Sequence, residues 1–142
     1  FRLNEIQSAL GISQLKKIKL FISRRKEIYD VYKREINNIK GISMPKYSKG
    51  ISSSYHLCLA SIDKGNLRLK EKFINYMLKR RIVIQYHYIP IYKFKIFREK
   101  YISYKAEKYY KSTISLPIFY GLSSRKQNEI IKYIKNFFSK IN

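Results

Sequence analysis

The chain is poor in the residues that most often carry chemistry by themselves. A single cysteine, Cys58, excludes an internal disulfide and fits a reducing compartment. Two histidines and one cysteine are too few for a structural zinc site, and none stands at metal-ligand spacing from another. Only nine carboxylates occur in 142 residues. Most of them lie in Lys-rich stretches and read as solvated helix faces. There is no Gly-rich phosphate loop, no internal repeat and no low-complexity tract. No apolar run approaches the roughly 18 to 20 residues a membrane-spanning helix needs, and the chain reads as a soluble, cytoplasmic protein. By this inventory it is not a complete enzyme.

What is present is a normal hydrophobic content of 45% with clear periodicity, enough for one ordinary core. The net charge of +22 stands out. Ile (23) and Lys (22) lead the composition, followed by other residues of AT-rich codons, so part of the excess is explained by base composition. Lys and Arg are spread over every expected element, with Arg24 to Lys26 and Lys79 to Arg81 the only tight clusters. That spread argues against a dedicated nucleic-acid surface, although a cationic binding module for nucleic acid or another polyanion stays open as the alternative.

The first stretch, FRLNEIQSALGISQL, opens abruptly on a helix cap. Asn4 and Gln7 have the spacing of a capping box, and Glu5 suits the positive end of the helix dipole. Ile6, Leu10, Ile18, Phe21, Ile22, Ile28, Tyr29, Tyr32, Ile36 and Ile39 then recur at helical intervals. The stripe predicts one helix of roughly nine turns, about 50 Å long. Gly11 within it suggests either a close backbone contact or tolerated drift. Gly41 is expected to end the helix with a left-handed cap, and Pro45 follows. The abrupt start suggests a piece of something larger. The expected division is a connecting or interface helix over 1–40 and a small α+β domain over 41–142.

Beyond a Ser- and Gly-rich loop over 47–54, Tyr55 to Ile62 predicts a strand ending in the turn Asp63-Lys64-Gly65-Asn66. Asn66 is placed to start a helix carrying Leu69, Phe73 and Met77, with Ile74 and Leu78 beside them. Ile82 to Tyr88 predicts a second strand, closed by Pro90. Tyr92, Phe94, Phe97, Tyr101 and Tyr104 suggest short broken helices, with a better one over Ala106 to Ser112. Thr113 to Phe119 predicts a third strand interrupted by Pro117, near an edge or a strand end. Ser124 with Gln127 should cap a last helix striped by Ile130, Ile131, Ile134, Phe137, Phe138 and Ile141. The order gives an α+β fold: a long N-terminal helix plus a small, mainly antiparallel sheet covered by helices.

Two places could carry chemistry. Cys58 could be a nucleophile with a His base, but its apolar strand favours an inert core thiol. In Gln85-Tyr86-His87-Tyr88-Ile89-Pro90-Ile91-Tyr92, polar and ring residues gather at a strand end before a proline turn, where side chains can enter a cleft. Aromatic packing at a sheet edge accounts for the same residues.

Phe1-Arg2-Leu3-Asn4-Glu5-Ile6-Gln7-Ser8-Ala9-Leu10-Gly11, followed by Gln14-Leu15, resembles the signature Asn-aromatic-Arg-(Leu/Met)-x-(Asp/Glu)-(Ile/Leu)-Gln-Ala-Ala-(Leu/Ile)-Gly-x-x-Gln-Leu of the DegT/DnrJ/EryC1/StrS sugar aminotransferases. Ser54-Tyr55-His56-Leu57, His87-Tyr88-Ile89-Pro90 and Ser115-Leu116-Pro117 with Gly121-Leu122 support it downstream in the same order. The resemblance spans essentially the whole chain. It implies the small domain of the aspartate-aminotransferase fold type and the C-terminal portion of a pyridoxal 5'-phosphate enzyme acting on nucleotide-linked keto-sugars.

The Lys that forms the Schiff base and the Asp that holds the pyridine nitrogen would precede Phe1. The resemblance therefore implies that this portion is inactive alone, since amine exchange needs that Lys as covalent anchor and proton shuttle. The partners implied are a nucleotide-sugar substrate, an amino-acid donor and a second subunit, joined as a homodimer through the N-terminal helix. Arg2 would lie near the neighbouring subunit's cofactor phosphate, for which a guanidinium is suited. His87 and Tyr88 match the His-Tyr-x-Pro turn expected to border the sugar-nucleotide pocket. Tyr92 stands where a second His is common in the family.

Overall fold

The computed structural model describes residues 2–48, 50–97 and 102–141, so Phe1 of the opening signature and Tyr101 lie outside the described residues. Helix α1 (Glu5–Leu15) begins as the sequence suggests. Asn4 Oδ1 accepts from Gln7 N at 2.8 Å, and Gln7 Oε1 accepts from Asn4 N at 3.2 Å. The expected nine-turn helix is, however, two helices. At Lys16–Lys17 the ladder tightens into a turn, Lys17 N donating to Gln14 O three residues back, and Lys17 stays in the right-handed region but opens to φ −99°, ψ −6°. Helix α2 (Ile18–Ile36) follows. The interruption falls where nothing holds the chain from outside, because α1 has no buried residue. Gly11 likewise has open space around it, so the close backbone contact it suggested is not made among the described residues.

The stripe along α2 goes from half-buried at Phe21 and Ile22 to fully buried at Ile28, Tyr29, Tyr32 and Ile36. After a turn, Gly41 (φ +95°) admits the chain into β1 (Ile42–Ser43), a two-residue strand that sequence periodicity cannot register. Strand β2 (Cys58–Ile62) is shorter than expected. Tyr55 sits at φ +50°, a left-handed conformation that an extended strand cannot contain, so pairing starts three residues later. Asn66 caps α3 (Leu67–Leu78), its side chain accepting from Leu69 N at 3.0 Å. Helix α4 (Tyr104–Ser112) runs directly into β3 (Thr113–Leu116), and α5 (Ser124–Phe138) closes the fold. Between α3 and α4 the described residues form a single 3-10 turn over Ile91–Lys93.

The sheet is antiparallel with strand order β1-β2-β3. Ile82 to Tyr88 is not a strand. Only Gln85 pairs with β3, exchanging both backbone bonds with Ser115 at 3.3 and 2.7 Å. In an antiparallel ladder alternate residues face outward, so the next outward positions are Pro117 and Thr113. Pro117 has no N–H, and the Thr113 N–H is used on Tyr109 O to close α4. Neither can extend the pairing.

Cys58, Ala60 and Ile62 of β2, with Ile114 and Leu116 of β3, share one core with α2, Phe73 and Met77 of α3, and Ile130, Ile134 and Phe138 of α5. Phe73 packs on Phe137 and Phe138 with ring centroids 5.1 and 5.5 Å away. The cap of α5 is Ser123 rather than Ser124, with Oγ accepting from Lys126 N. Gln127 turns inward instead of completing a capping box, and its Nε2 donates to Ile28 O at 2.7 Å, tying α5 to α2. Among the described residues no helix is long and apolar enough to cross a membrane.

Candidate functional site

The single backbone bridge between Gln85 and Ser115 sets the site. It holds Gln85 on the outer edge of β3, and two residues on His87 reaches the same partner by its side chain. His87 is buried, and its Nε2 lies 2.9 Å from Ser115 Oγ. Which of the two donates depends on the imidazole tautomer. Ser115 can serve because strand alternation places it with Leu59, on the face opposite Ile114 and Ala60 of the core. The other ring nitrogen, His87 Nδ1, is buried with no hydrogen-bond partner among the described residues. An unpaired buried ring nitrogen costs on the order of 1–3 kcal/mol, which a ligand hydroxyl, amide or phosphate could relieve. Tyr88 follows through a cis peptide, its ring set edge-on to the imidazole at 4.5 Å and 71% exposed.

Beside this pair is a groove of about 220 Å³ lined by His56, Leu57, Val83, Gln85, Ser115 and Pro117, among others. It gathers three places that are far apart in sequence: 56 and 57, 83 and 85, and 115–118. Gln85 belongs to the polar and aromatic segment that the sequence marks as a candidate cleft wall, whereas His56 and Ser115 fall within the quoted motifs but carry no sequence signal of a site role. Their meeting depends on the β2–β3 register and the one-residue bridge, neither of which local periodicity specifies.

Other candidates lie apart. The Tyr92 hydroxyl donates to Glu107 Oε1 at 3.0 Å and lies 3.3 Å from Ser103 O, so it is occupied with α4. Burial and the Glu107 contact raise its pKa. Lys93 completes this cluster at 2.8 Å from Glu107, and its hydrogen bond is the main cause holding that carboxyl below its usual range. Arg2 is exposed ahead of α1, makes no hydrogen bond or ion pair among the described residues, and lines neither the groove nor the His87 pair. Cys58 is fully buried and burial pushes its thiol up to about 12, which is the behaviour of a core thiol rather than a nucleophile. Among the described residues no group of three or more His, Cys, Asp or Glu could hold a metal ion. A larger cavity of about 380 Å³ between β1, β2 and α4 is mainly apolar and contains no His or carboxylate.

The residues present do not by themselves fit pyridoxal phosphate. A covalent anchor needs a lysine that is sheltered but free, with a carboxylate placed for the ring nitrogen. Among lysines whose side chains are described, Lys70 alone is buried, and its Nζ donates to the Tyr110 carbonyl. Glu107, the best sheltered carboxylate in an ion pair, is held by Lys93 and Tyr92.

Residues 1–135 match the model of the DegT/DnrJ/EryC1/StrS aminotransferase family. The chain is 33% identical over 141 residues to the UDP-4-amino-4,6-dideoxy-N-acetyl-beta-L-altrosamine transaminase of Helicobacter pylori, covering 96% of this chain and 38% of that protein. It is 30% identical over 140 residues to GDP-perosamine synthase of Escherichia coli O157:H7, covering 98% and 37%. Among solved structures, PseC of Helicobacter pylori, an aminotransferase involved in the biosynthesis of pseudoaminic acid, superposes with a TM-score of 0.90 at 31% identity, over 99% of this chain and 38% of that one. The aminotransferase TlmJ of Streptoalloteichus hindustanus shares the fold with a TM-score of 0.92 at 20% identity, over 99% and 38%. The chain thus spans well under half the length of the relatives it matches.

Proposed function

The chain belongs to the DegT/DnrJ/EryC1/StrS aminotransferase family, and we propose that it acts as the C-terminal part of a pyridoxal-phosphate-dependent enzyme that aminates a nucleotide-linked keto-sugar. Glutamate or a similar amino acid would be the donor, and the product would enter polysaccharide or glycan synthesis. In such an enzyme the cofactor carries the amino group between donor and acceptor, and the residues that anchor it lie outside this chain. What this chain contributes is one wall of the sugar-nucleotide cleft and an apolar face for a second subunit.

One observation carries the reading of the wall. His87 is buried against Ser115, which lines a groove together with His56, Leu57, Gln85 and Pro117, and its Nδ1 lacks a partner among the described residues. Ser115 fixes one end of the ring, which leaves the other nitrogen to orient a substrate oxygen. The exposed Tyr88 ring beside it is suited to stacking on a sugar or base. Tyr92, held by Glu107, would support the turn from behind rather than touch substrate. Arg2 would pair with a phosphate supplied across the subunit boundary. The run of exposed apolar residues Leu3, Ile6, Leu10 and Leu15 suits a homodimer surface.

The test is steady-state kinetics of the full-length polypeptide that carries this chain, with glutamate and a UDP-linked 4-keto sugar. Changing His87 to Ala should raise KM for the sugar nucleotide roughly tenfold or more, with a smaller change in kcat and none in the KM for glutamate. Unchanged sugar-nucleotide KM in that variant would refute the wall. Salt-dependent DNA binding with no transamination would refute the enzyme reading as a whole.

A further inference from the structure

The buried face of α3 carries one residue of the wrong polarity. Its buried positions are Lys70, Phe73 and Met77, so an ammonium occupies a core position of the helix and is only 1% exposed. Lys70 forms no ion pair among the described residues. Its Nζ instead donates to the Tyr110 carbonyl and lies 4.8 Å from the centroid of the Tyr86 ring and 4.6 Å from that of Tyr110. The two rings meet edge-on at 6.2 Å.

Tyr110 lies in the last turn of α4, where carbonyls run out of intrahelical donors and the helix dipole favours a cation. Closing the end of α4 therefore explains the bond to Tyr110. It does not explain Tyr86, which belongs to another segment and is 45% exposed. Burial alone holds such a ring weakly, and the cation beneath it supplies the missing attraction. Tyr86 stands between Gln85, which makes the only backbone bridge to β3 from this segment, and His87, which meets Ser115.

We propose that Lys70 is a positioning residue for the candidate site, clamping the Tyr86 ring against the end of α4 so that His87 is held on Ser115. The consequence for substrate rests on the reading of His87 given above, whereas the clamp itself does not. Groups facing Lys70 are Glu71 on its own helix, Tyr86 on the 82–90 segment and Tyr110 on α4, with Lys93 Nζ lying 5.2 Å from the Tyr110 ring. Burial lowers the Lys70 pKa to about 8, so the charge that attracts the rings is lost over a mildly alkaline range.

The experiment is NMR of the full-length polypeptide carrying this chain, with labelled His and Ser, following the cross-peak between the His87 ring and the Ser115 β-protons. In the unsubstituted protein the peak should weaken by up to about threefold between pH 7 and pH 9, the scale of one cation–π contact to a partly exposed ring. Lys70→Met should show the weak peak at both pH values. Lys70→Arg, whose guanidinium stays charged, should show the strong peak at both. A peak of full strength in Lys70→Met at pH 7 would overturn the clamp. Should Lys70→Met not fold, Tyr86→Leu leaves Lys70 on Tyr110 and must still weaken the peak; a full-strength peak there also overturns it. Because the readout contains no substrate, a working clamp combined with an unchanged sugar-nucleotide KM in His87→Ala would refute the wall and leave the clamp standing.

Discussion

Helices α1 and α5 look alike as sequence and differ completely as structure. Both begin at a polar cap and both carry apolar residues three and four apart, yet α5 buries six residues, including Ile134 and Phe138, while α1 buries none. The difference is not in the helices but in what meets them. The α5 stripe is covered by α2 and α3 through Tyr32, Phe73 and Met77 of the common core, whereas Ile6 and Leu10 remain 81% and 61% exposed. Periodicity identifies which face wants cover and is silent on who supplies it. The proposed subunit surface rests on this uncovered face.

The contrast can be broken most severely at the aromatic core. Phe138→Ala should cost about 3–5 kcal/mol in denaturant unfolding of this chain, while Leu10→Ala should cost less than about 0.5 kcal/mol. Comparable losses would show that α1 is packed after all. In the full-length polypeptide Leu10→Asp should reveal what the chain alone hides, by raising the subunit dissociation constant at least about tenfold, about 1.4 kcal/mol; unchanged association by analytical ultracentrifugation would remove α1 from the subunit interface. Gln127→Met keeps the volume but loses the bond to Ile28 O, and should cost about 1–2 kcal/mol. The smallest effect belongs to the cap. Asn4→Ala should cost about 1 kcal/mol of α1 alone, visible as faster amide exchange at Gln7 with no change in the global unfolding midpoint.

Helix α3 falls between these extremes, because Lys70 stands in its buried stripe. The folded pKa of Lys70, about 8, is below its ordinary value of 10.5. Between those values the unfolded chain binds more protons than the folded one, so this group makes stability rise with pH across that window and leaves it flat below pH 8. Unfolding curves from pH 7 to 9 should show that rise in the unsubstituted protein and lose it in Lys70→Met; above pH 9 the raised Cys58 thiol, which stays protonated in the folded chain, opposes it.

Much of the fold was legible because it is written locally. Asn4 with Gln7, Asn66, and the stripe from Ile130 to Phe138 each specify an element through neighbours a few residues away. The failures have a common physical form. Ile82 to Tyr88 has strand-like residues, but whether it pairs is decided by Pro117 and Thr113 on a distant strand. The turn at Lys16–Lys17 lies in a stripe that is periodic on both sides, and the break follows from missing tertiary support rather than from a breaker residue. Lys70 reads as a surface lysine until Tyr86 and Tyr110 close over it. At the candidate site, His87 was recognisable from its turn. Its partner Ser115 was not, because a contact across 28 residues exists only once β2 and β3 have paired.

The account stands on the cofactor being anchored elsewhere in a longer polypeptide, with this chain supplying a wall and an interface. Reductive trapping of pyridoxal phosphate on the full-length protein, followed by digestion and mass spectrometry, tests this most directly. The account predicts one stoichiometrically labelled lysine, lying outside residues 1–142. Stoichiometric label on a lysine of this chain, Lys70 above all, would contradict it.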